Sequence, residues 1–570
     1  MQRKKATLFL FLLITTFSMG QFVPEKSYHF HPPLKIPLVL AANFGELRSN
    51  HFHTGIDFKT NRKIGYDIHS IDDGYVSRIK VSPWGYGYVV YIDHYNGLTS
   101  VYAHCSAFTG ELADLVATQQ EKQENFAFDY YPTKDSLKVK KGEVIALSGN
   151  TGGSTAPHLH FEIRETKTEH ALNPLLFGFD IKDTQKPTIR SMKVYALDEH
   201  GYRVPGRETY TNVSGGNGNF AISGNKITVP ANYTSKTGGI GFAFDAIDQL
   251  DAASNICGIH EAFLIVDGDT LYSQDMTEIS FHTNRYINSH KDYEDYHRRR
   301  RHYQKTFKTV HNPLPIYRTL KNNGVLNTTP GAIHDVKYIC KDAYGNTSAL
   351  RFELVIESGN KSDLSSLFSP TEKYLFPDSA FMDISDAYSI LFPPGLIYEP
   401  EKLILNHGDF GLQFGKSATP LQESFRLMLK IENQDLAKEK YLVSRTNDAG
   451  YSSAHNGTVN NSWITTWVRD FGKFEVAVDT LSPEIFYRNF ATGQNVRGKK
   501  LIWKIRDDFS GVYDYDVFID GKWHLLSYEP KGGGHYYFTP PSELKGTKEL
   551  LIRAIDHCGN KTEEKYNVVF

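Results

Sequence analysis

Cysteine is scarce in this chain. It has four in 570 residues, Cys105, Cys257, Cys340 and Cys558, and no C-x-x-C pair. That spacing gives no indication of a thiolate zinc site. Cys257 and Cys340 fall in one part of the chain and could pair in an oxidising compartment, with free buried thiols as the equal alternative. Charge of one sign is also lacking: 63 Lys and Arg against 65 Asp and Glu leave a net charge of −2. Nothing in that balance points to nucleic acid as a partner. Beyond the N-terminus there is no long apolar run, so no transmembrane segment is expected once that end is removed.

The N-terminus has its own pattern. Arg3, Lys4 and Lys5 precede an apolar stretch from Ala6 to Phe17, and Ser18-Met19-Gly20 supplies small residues before Gln21. This is the layout of a Sec-type signal peptide over residues 1–20. The run is short of the ~20 residues that span a bilayer. No Cys follows it, which argues against a lipoprotein. The expectation is export to a periplasmic, envelope-associated or secreted location.

The length calls for two to four domains at ~100–200 residues each. With 34 Tyr, 36 Phe and 45 Gly, the composition leans towards β-structure. From Gly65 to Ile163 short β-runs alternate with glycine turns. Tyr88 to Ile92 and Leu98 to Tyr102 flank Asn96-Gly97, a strong hairpin signal. The polar insertion between Ser106 and Val139 holds Leu112, Leu115 and Val116 at helical spacing, which predicts a short amphipathic helix.

An internal repeat follows. Asp183-Thr184-Gln185-Lys186-Pro187 matches Asp479-Thr480-Leu481-Ser482-Pro483. Gly258 to Gly268 matches Gly511 to Gly521, and Asp342 to Asn346 matches Asp556 to Asn560. Each unit alternates apolar residues with turns, the pattern of an antiparallel sandwich. The expected layout is a first domain over 21–180, a sandwich with insertions over 184–357, a third domain over 358–480 and a last sandwich over 481–570. The basic run His297 to His302 reads as a solvated insertion in the first sandwich.

Two H-x-H pairs carry the chemistry, although one is expected about once by chance. In Pro157-His158-Leu159-His160-Phe161-Glu162-Ile163, alternation puts Leu159, Phe161 and Ile163 on one strand face and His158, His160 and Glu162 on the other. His53-Thr54-Gly55-Ile56-Asp57 offers a His and an Asp four apart, with the Gly read as permitting a tight turn. Imidazole and carboxylate are both good zinc ligands, and three protein ligands with an open fourth position is the catalytic pattern. His104 ends the run Leu98 to Ala103, with Ser100, Tyr102 and His104 read as one cleft-side face.

Arg48, His53 to Asp57, Asp73 to Val76, Tyr102-Ala103-His104, Gly142 to Ile145 and Gly149 to Glu162 occur in order. Together they resemble the lysostaphin/LytM-type zinc endopeptidases, over about residues 43–165. The resemblance implies a mainly β protein with a compact antiparallel peptidase domain, followed by immunoglobulin-like sandwich modules. It implies Zn2+ on His53, Asp57 and His160, with His104 and His158 catalytic and their acid and base roles undivided. His51 receives no role. The implied substrate is peptidoglycan peptide stems or cross-links, with the bond left open. Other envelope proteins docking on the sandwiches are a second class of partner. Ala156, Cys105 and the long 106–139 insertion depart from the usual pattern without removing a chemical group. The rival readings are a non-catalytic LytM-like regulator of other wall hydrolases and a sandwich adhesion or scaffold protein.

Overall fold

The computed structural model describes residues 28–363, 372–408 and 411–570. The expected signal peptide lies outside the described residues. Among them no helix is long and apolar enough to cross a membrane. The fold is mainly β throughout.

The N-terminal domain is built on β1 (Leu40–Ala42), β2 (Ile56–Lys59), β3 (Asp67–His69), β4 (Gly74–Val81), β5 (Tyr88–His94) and β6 (Leu98–Cys105). Then come β7 (Ala107–Phe108), α1 (Glu111–Gln123), β8 (Phe128–Tyr130), β9 (Lys138–Val139), β10 (Val144–Leu147), β11 (His158–Glu165) and β12 (Ala171–Leu172). The large antiparallel sheet runs β1-β2-β11-β6-β5-β4-β8, and a small sheet runs β3-β10-β7. The Asn96-Gly97 turn joins β5 to β6 as a hairpin. Leu159, Phe161 and Ile163 of β11 are fully buried, as their alternation predicts. Within the insertion α1 forms, and buries Leu112 and Val116 against the domain core.

Three further cores follow, each shared by two sheets. In the first, Arg203–Asn212, Thr188–Leu197, Gly239–Ile247 and Tyr303–Lys305 face an eight-stranded sheet. The repeated Asp-Gly pairs make two-residue hairpins. Asp267 and Gly268 have φ of 52° and 88°, and Asp520 and Gly521 have 48° and 80°. Both central residues at positive φ is the turn that matches strand twist. All four cysteines are buried and free, so Cys257 and Cys340 do not pair.

The first sandwich sends an insertion back under the N-terminal domain. It carries α2 (Ile287–His290) and α3 (Tyr293–Arg299). Asn284 accepts from Phe52 N–H at 2.6 Å and donates to Phe52 C=O at 3.2 Å. Lys291 Nζ donates to the carbonyls of Arg48 and Ser49, both at 2.6 Å. The Leu47–His53 loop is therefore held from outside its own domain. Arg298, Arg299 and Arg300 of the basic run face solvent, with Arg298 paired to Glu294 along α3, whereas Arg301 is half-buried and lies 3.5 Å from the buried Asp245.

Candidate metal centre

Antiparallel register brings the donors together. β11 lies between β2 and β6, and His160 sits directly opposite Asp57 on one side and Ala103 on the other. His53 enters from the loop before β2. His53 Nε2, His160 Nδ1 and Asp57 Oδ1 are mutually 3.1, 3.2 and 2.9 Å apart. Two ligands of a tetrahedral zinc, with bonds of about 2.0–2.1 Å, lie ~3.3 Å apart.

The hydrogen bonds around these atoms set their protonation. His53 Nδ1 lies 2.8 Å from the Asn43 carbonyl, which can only accept. His160 Nε2 lies 2.9 Å from Glu162 Oε1. With both protons directed outward, the inward Nε2 of His53 and Nδ1 of His160 are lone pairs, and they meet a carboxylate oxygen. Three acceptors converging on one point repel one another unless a proton or a metal ion lies between them. The ionisation equilibria express the same demand. Burial works against a charged His160, yet its hydrogen bonds to Asp57 and Glu162 prevail and push it up to about 9. Burial likewise opposes charge on Asp57, but His53, His158 and His160 hold it well below the usual carboxylate range. The donor set and its spacing fit a divalent metal.

Gly55 serves this geometry in a way its sequence position did not suggest. It has no positive φ; instead, a Cβ there would lie 2.4 Å from Phe161 O and 2.9 Å from Glu162 Cγ. Glycine is needed for the close approach of the segment entering β2 to β11, not for a turn.

His104 reaches the site by a route that strand alternation gets wrong. Ser100 and Tyr102 face the core, where Tyr102 is fully buried and its ring meets Phe161 at 5.4 Å. Val101 and Ala103 lie on the other face, beside Val89 and Tyr91. His104 breaks the alternation with φ of 61°, a conformation rare for a side chain larger than glycine. Its ring then stands 4.8 Å from His158 and 5.9 Å from His160. Its Nδ1–H donates to Thr151 C=O at 2.8 Å, which leaves Nε2 available to a substrate. His158 is held alike: Nδ1–H donates to Ala156 C=O at 2.8 Å, and Nε2 lies 3.5 Å from Asp57 Oδ1. Because the Ala156 contact uses only backbone, the side chain at that position is immaterial to it. Burial, and then the charges of His160 and His158, push His104 down to about 3, so it is neutral at neutral pH.

A cleft of about 720 Å³ opens over Asp57 and His158, with Glu46, Arg48, Lys59 and Ile256 among its walls. His51 is exposed and stays outside the donor cluster.

The sequence reading assigned no role to the groups that support the donors. Glu162, fully buried, accepts from His160, from Thr54 Oγ1 at 2.7 Å and from Tyr86 OH at 2.5 Å. Arg164 Nε donates to its other oxygen at 2.7 Å. Burial raises the cost of that carboxylate, but Arg164 and His160 outweigh it and hold Glu162 well below its ordinary value. Alternation placed Glu162 beside His160, so its signal was present. Asn43 and Tyr86 had none, since they come from distant loops.

With this geometry in hand, residues 51–121 and 128–174 match Peptidase family M23. This stretch is an M23 peptidase domain. Residues 388–479 match the Zu5-like domain. The DD-carboxypeptidase/endopeptidase Mpg of Neisseria meningitidis serogroup B is 36% identical over 118 residues, 21% of each chain. The peptidoglycan DD-endopeptidase ShyB of Vibrio cholerae is 28% identical over 145 residues, 24% of this chain and 28% of its own. The catalytic domain of the M23 protein EnpA from Enterococcus faecalis is similar at 25% identity, with a TM-score of 0.19, over 27% of this chain and 98% of that one. The chain spans about a fifth of the length of the first curated relatives it matches. Each of these peptidase matches covers about a fifth to a quarter of this chain, whose remainder is β-rich.

Proposed function

We propose that the chain is an exported zinc endopeptidase that hydrolyses peptide bonds in peptidoglycan. One observation carries this reading. Beside a three-acceptor metal centre stand two histidines whose Nδ1–H groups are tied to backbone carbonyls, so that both offer Nε2 to a bound peptide. His53, Asp57 and His160 would hold the metal. Zinc supplies Lewis acidity that polarises a scissile carbonyl and makes water more acidic.

The chain's own residues do the rest. His104 and His158 accept and return protons at Nε2, on the attacking water and the departing amine. A protonated Nε2 of either also donates to the oxyanion. Asn43 and Glu162 fix the ring orientations of the two ligand histidines, as outer partners of metal-bound imidazoles do. Arg48 and Lys59 on the cleft walls suit the carboxylates of stem peptides. Relatives named as peptidoglycan DD-endopeptidases support that substrate class.

The test is digestion of purified sacculi by wild type and His160→Ala, with bound metal measured in each. Wild type should carry about one zinc and release muropeptides, and the variant should do neither. Intact sacculi after incubation with zinc-loaded wild type would refute the proposal.

A further inference from the structure

A second cluster of metal-type donors lies in the first sandwich. One carboxylate oxygen each from Asp183, Asp248 and Asp342 fall within 4.8 Å of one another. Asp342 is satisfied: Oδ1 accepts from Tyr344 N–H and Asn346 N–H, and Oδ2 from the Asn346 amide at 2.7 Å. Asp183 Oδ1 accepts from Gln185 N–H. Asp248 differs. It is 2% exposed, and its Oδ1 is buried with no hydrogen-bond partner. An unpartnered buried oxygen beside two other carboxylates costs several kcal/mol unless a cation or a proton meets it.

The repeat supplies an internal comparison. Asp479, Asp507 and Asp556 form the same trio in the last sandwich. There, Asp507 accepts from Gly511 N–H at 2.7 Å and Phe509 N–H at 3.1 Å, and Asp479 accepts from Ser510 N–H at 3.0 Å. None of its oxygens is buried without a partner. The two modules thus keep the same carboxylates, but only the first leaves a buried oxygen without a hydrogen-bond partner.

We propose that Asp183, Asp248 and Asp342 hold a calcium ion that braces one wall of the M23 cleft. An all-oxygen, carboxylate-rich donor set selects a hard cation over zinc, and calcium tolerates irregular oxygen geometry better than magnesium. The charges acting on Asp183 and Asp248 are other carboxylates.

The link to the cleft is short. Asp248 and Cys257 exchange two backbone hydrogen bonds of 2.9 Å, closing a loop whose Asn255 and Ile256 line the cleft. Gly258 follows at once and bonds the Asn43 side chain through both N–H and C=O, each at 2.8 Å. The Asn43 carbonyl is the group that holds His53. An ion at Asp248 therefore anchors the loop that shapes the cleft and touches the residue orienting a metal ligand.

The experiment titrates Ca2+ into the full, zinc-loaded chain, with calorimetry and Tm as readouts, for wild type, Asp248→Asn and Asp507→Asn. Calcium should raise the wild-type Tm by a few degrees, as a ligand of the native state does. Asp248→Asn should bind at least tenfold more weakly, and Asp507→Asn should keep the response. In calcium-free buffer Asp248→Asn should melt at or above wild type, because it thins a cluster of three carboxyl groups that has no cation to offset it. Should it fail to fold, Asp183→Asn carries the same expectation of weakened binding. No Tm response of wild type up to ~10 mM Ca2+, well above the range of weak extracellular sites, overturns the proposal. So does an unchanged response in the folded Asp248 or Asp183 variant.

Discussion

Glu162 is the residue whose removal separates holding a metal from placing it. It is buried, bonded to a candidate ligand and neutralised by Arg164. Glu162→Gln should weaken zinc binding by about 10–100-fold, the usual cost of losing an outer partner of a metal-bound imidazole. Competition with a chromogenic chelator measures this. His104→Ala should do the opposite: zinc retained in full and turnover reduced by about 10²–10⁴. If His104→Ala loses its zinc, its role is structural. At this scale the donors were legible, since H-x-x-x-D and H-x-H stand in the chain. The backbone twist that delivers His104 was not, because it requires a non-glycine residue at positive φ, and no sequence pattern marks such a site.

Elements show how the loop before β2 is kept in place. α2 and its flanks are packed beneath it, and His290, fully buried on α2, lies 3.2 Å from both Gln304 Oε1 and Tyr317 OH. Burial pushes His290 down to about 4, helped by the charges of Lys305 and Lys291 and opposed by the Gln304 hydrogen bond. The unfolded chain takes up that proton near pH 6.5 and the folded one only near pH 4. Between those values the unfolded state binds more protons, so stability falls as pH falls, by at most about 3 kcal/mol from this group. His290→Gln should flatten the Tm curve between pH 6.5 and 4 relative to wild type. An unchanged slope by calorimetry would remove His290 from the account. The clamp itself was invisible in the chain: the basic run after it could be read as a solvated face, but not the apolar and amide side chains turned towards another domain.

Across the molecule, the N-terminal core does not stop at the N-terminal domain. Leu250, Met276, Ile279, Ile287, Leu314 and Ile316 belong to the same buried cluster. β12 continues the large sheet into the short strand Glu278–Ile279. At about 1.5–3 kcal/mol for each buried side chain, those contacts rival the ~5–15 kcal/mol net stability of a domain. A protein cut after residue 180 should therefore aggregate or bind zinc poorly, whereas residues 28–363 should be soluble and zinc-loaded. Size-exclusion chromatography with metal analysis distinguishes them, and a monomeric, zinc-bound 28–180 fragment would show that the sandwich is dispensable. The last sandwich also touches the N-terminal domain: Lys531 Nζ donates to Asn150 C=O, and Tyr528 meets Trp84 edge-on at 6.3 Å.

The sequence alone determined the β class, the strands around Asn96-Gly97 and the donor residues. Each of these depends on local spacing: period-two burial, turn chemistry and the short reach between His53 and Asp57. The tertiary structure decided the rest: that Asp57 faces His160 across two strands, that Asn43, Tyr86 and Glu162 orient the ligands, and that a sandwich insertion secures the His53 loop. It also decided that of two matching carboxylate trios only one leaves a buried oxygen unpartnered. Those features depend on contacts between distant residues, 243 positions apart for Lys291 and Arg48, and such contacts exist only once the chain has packed.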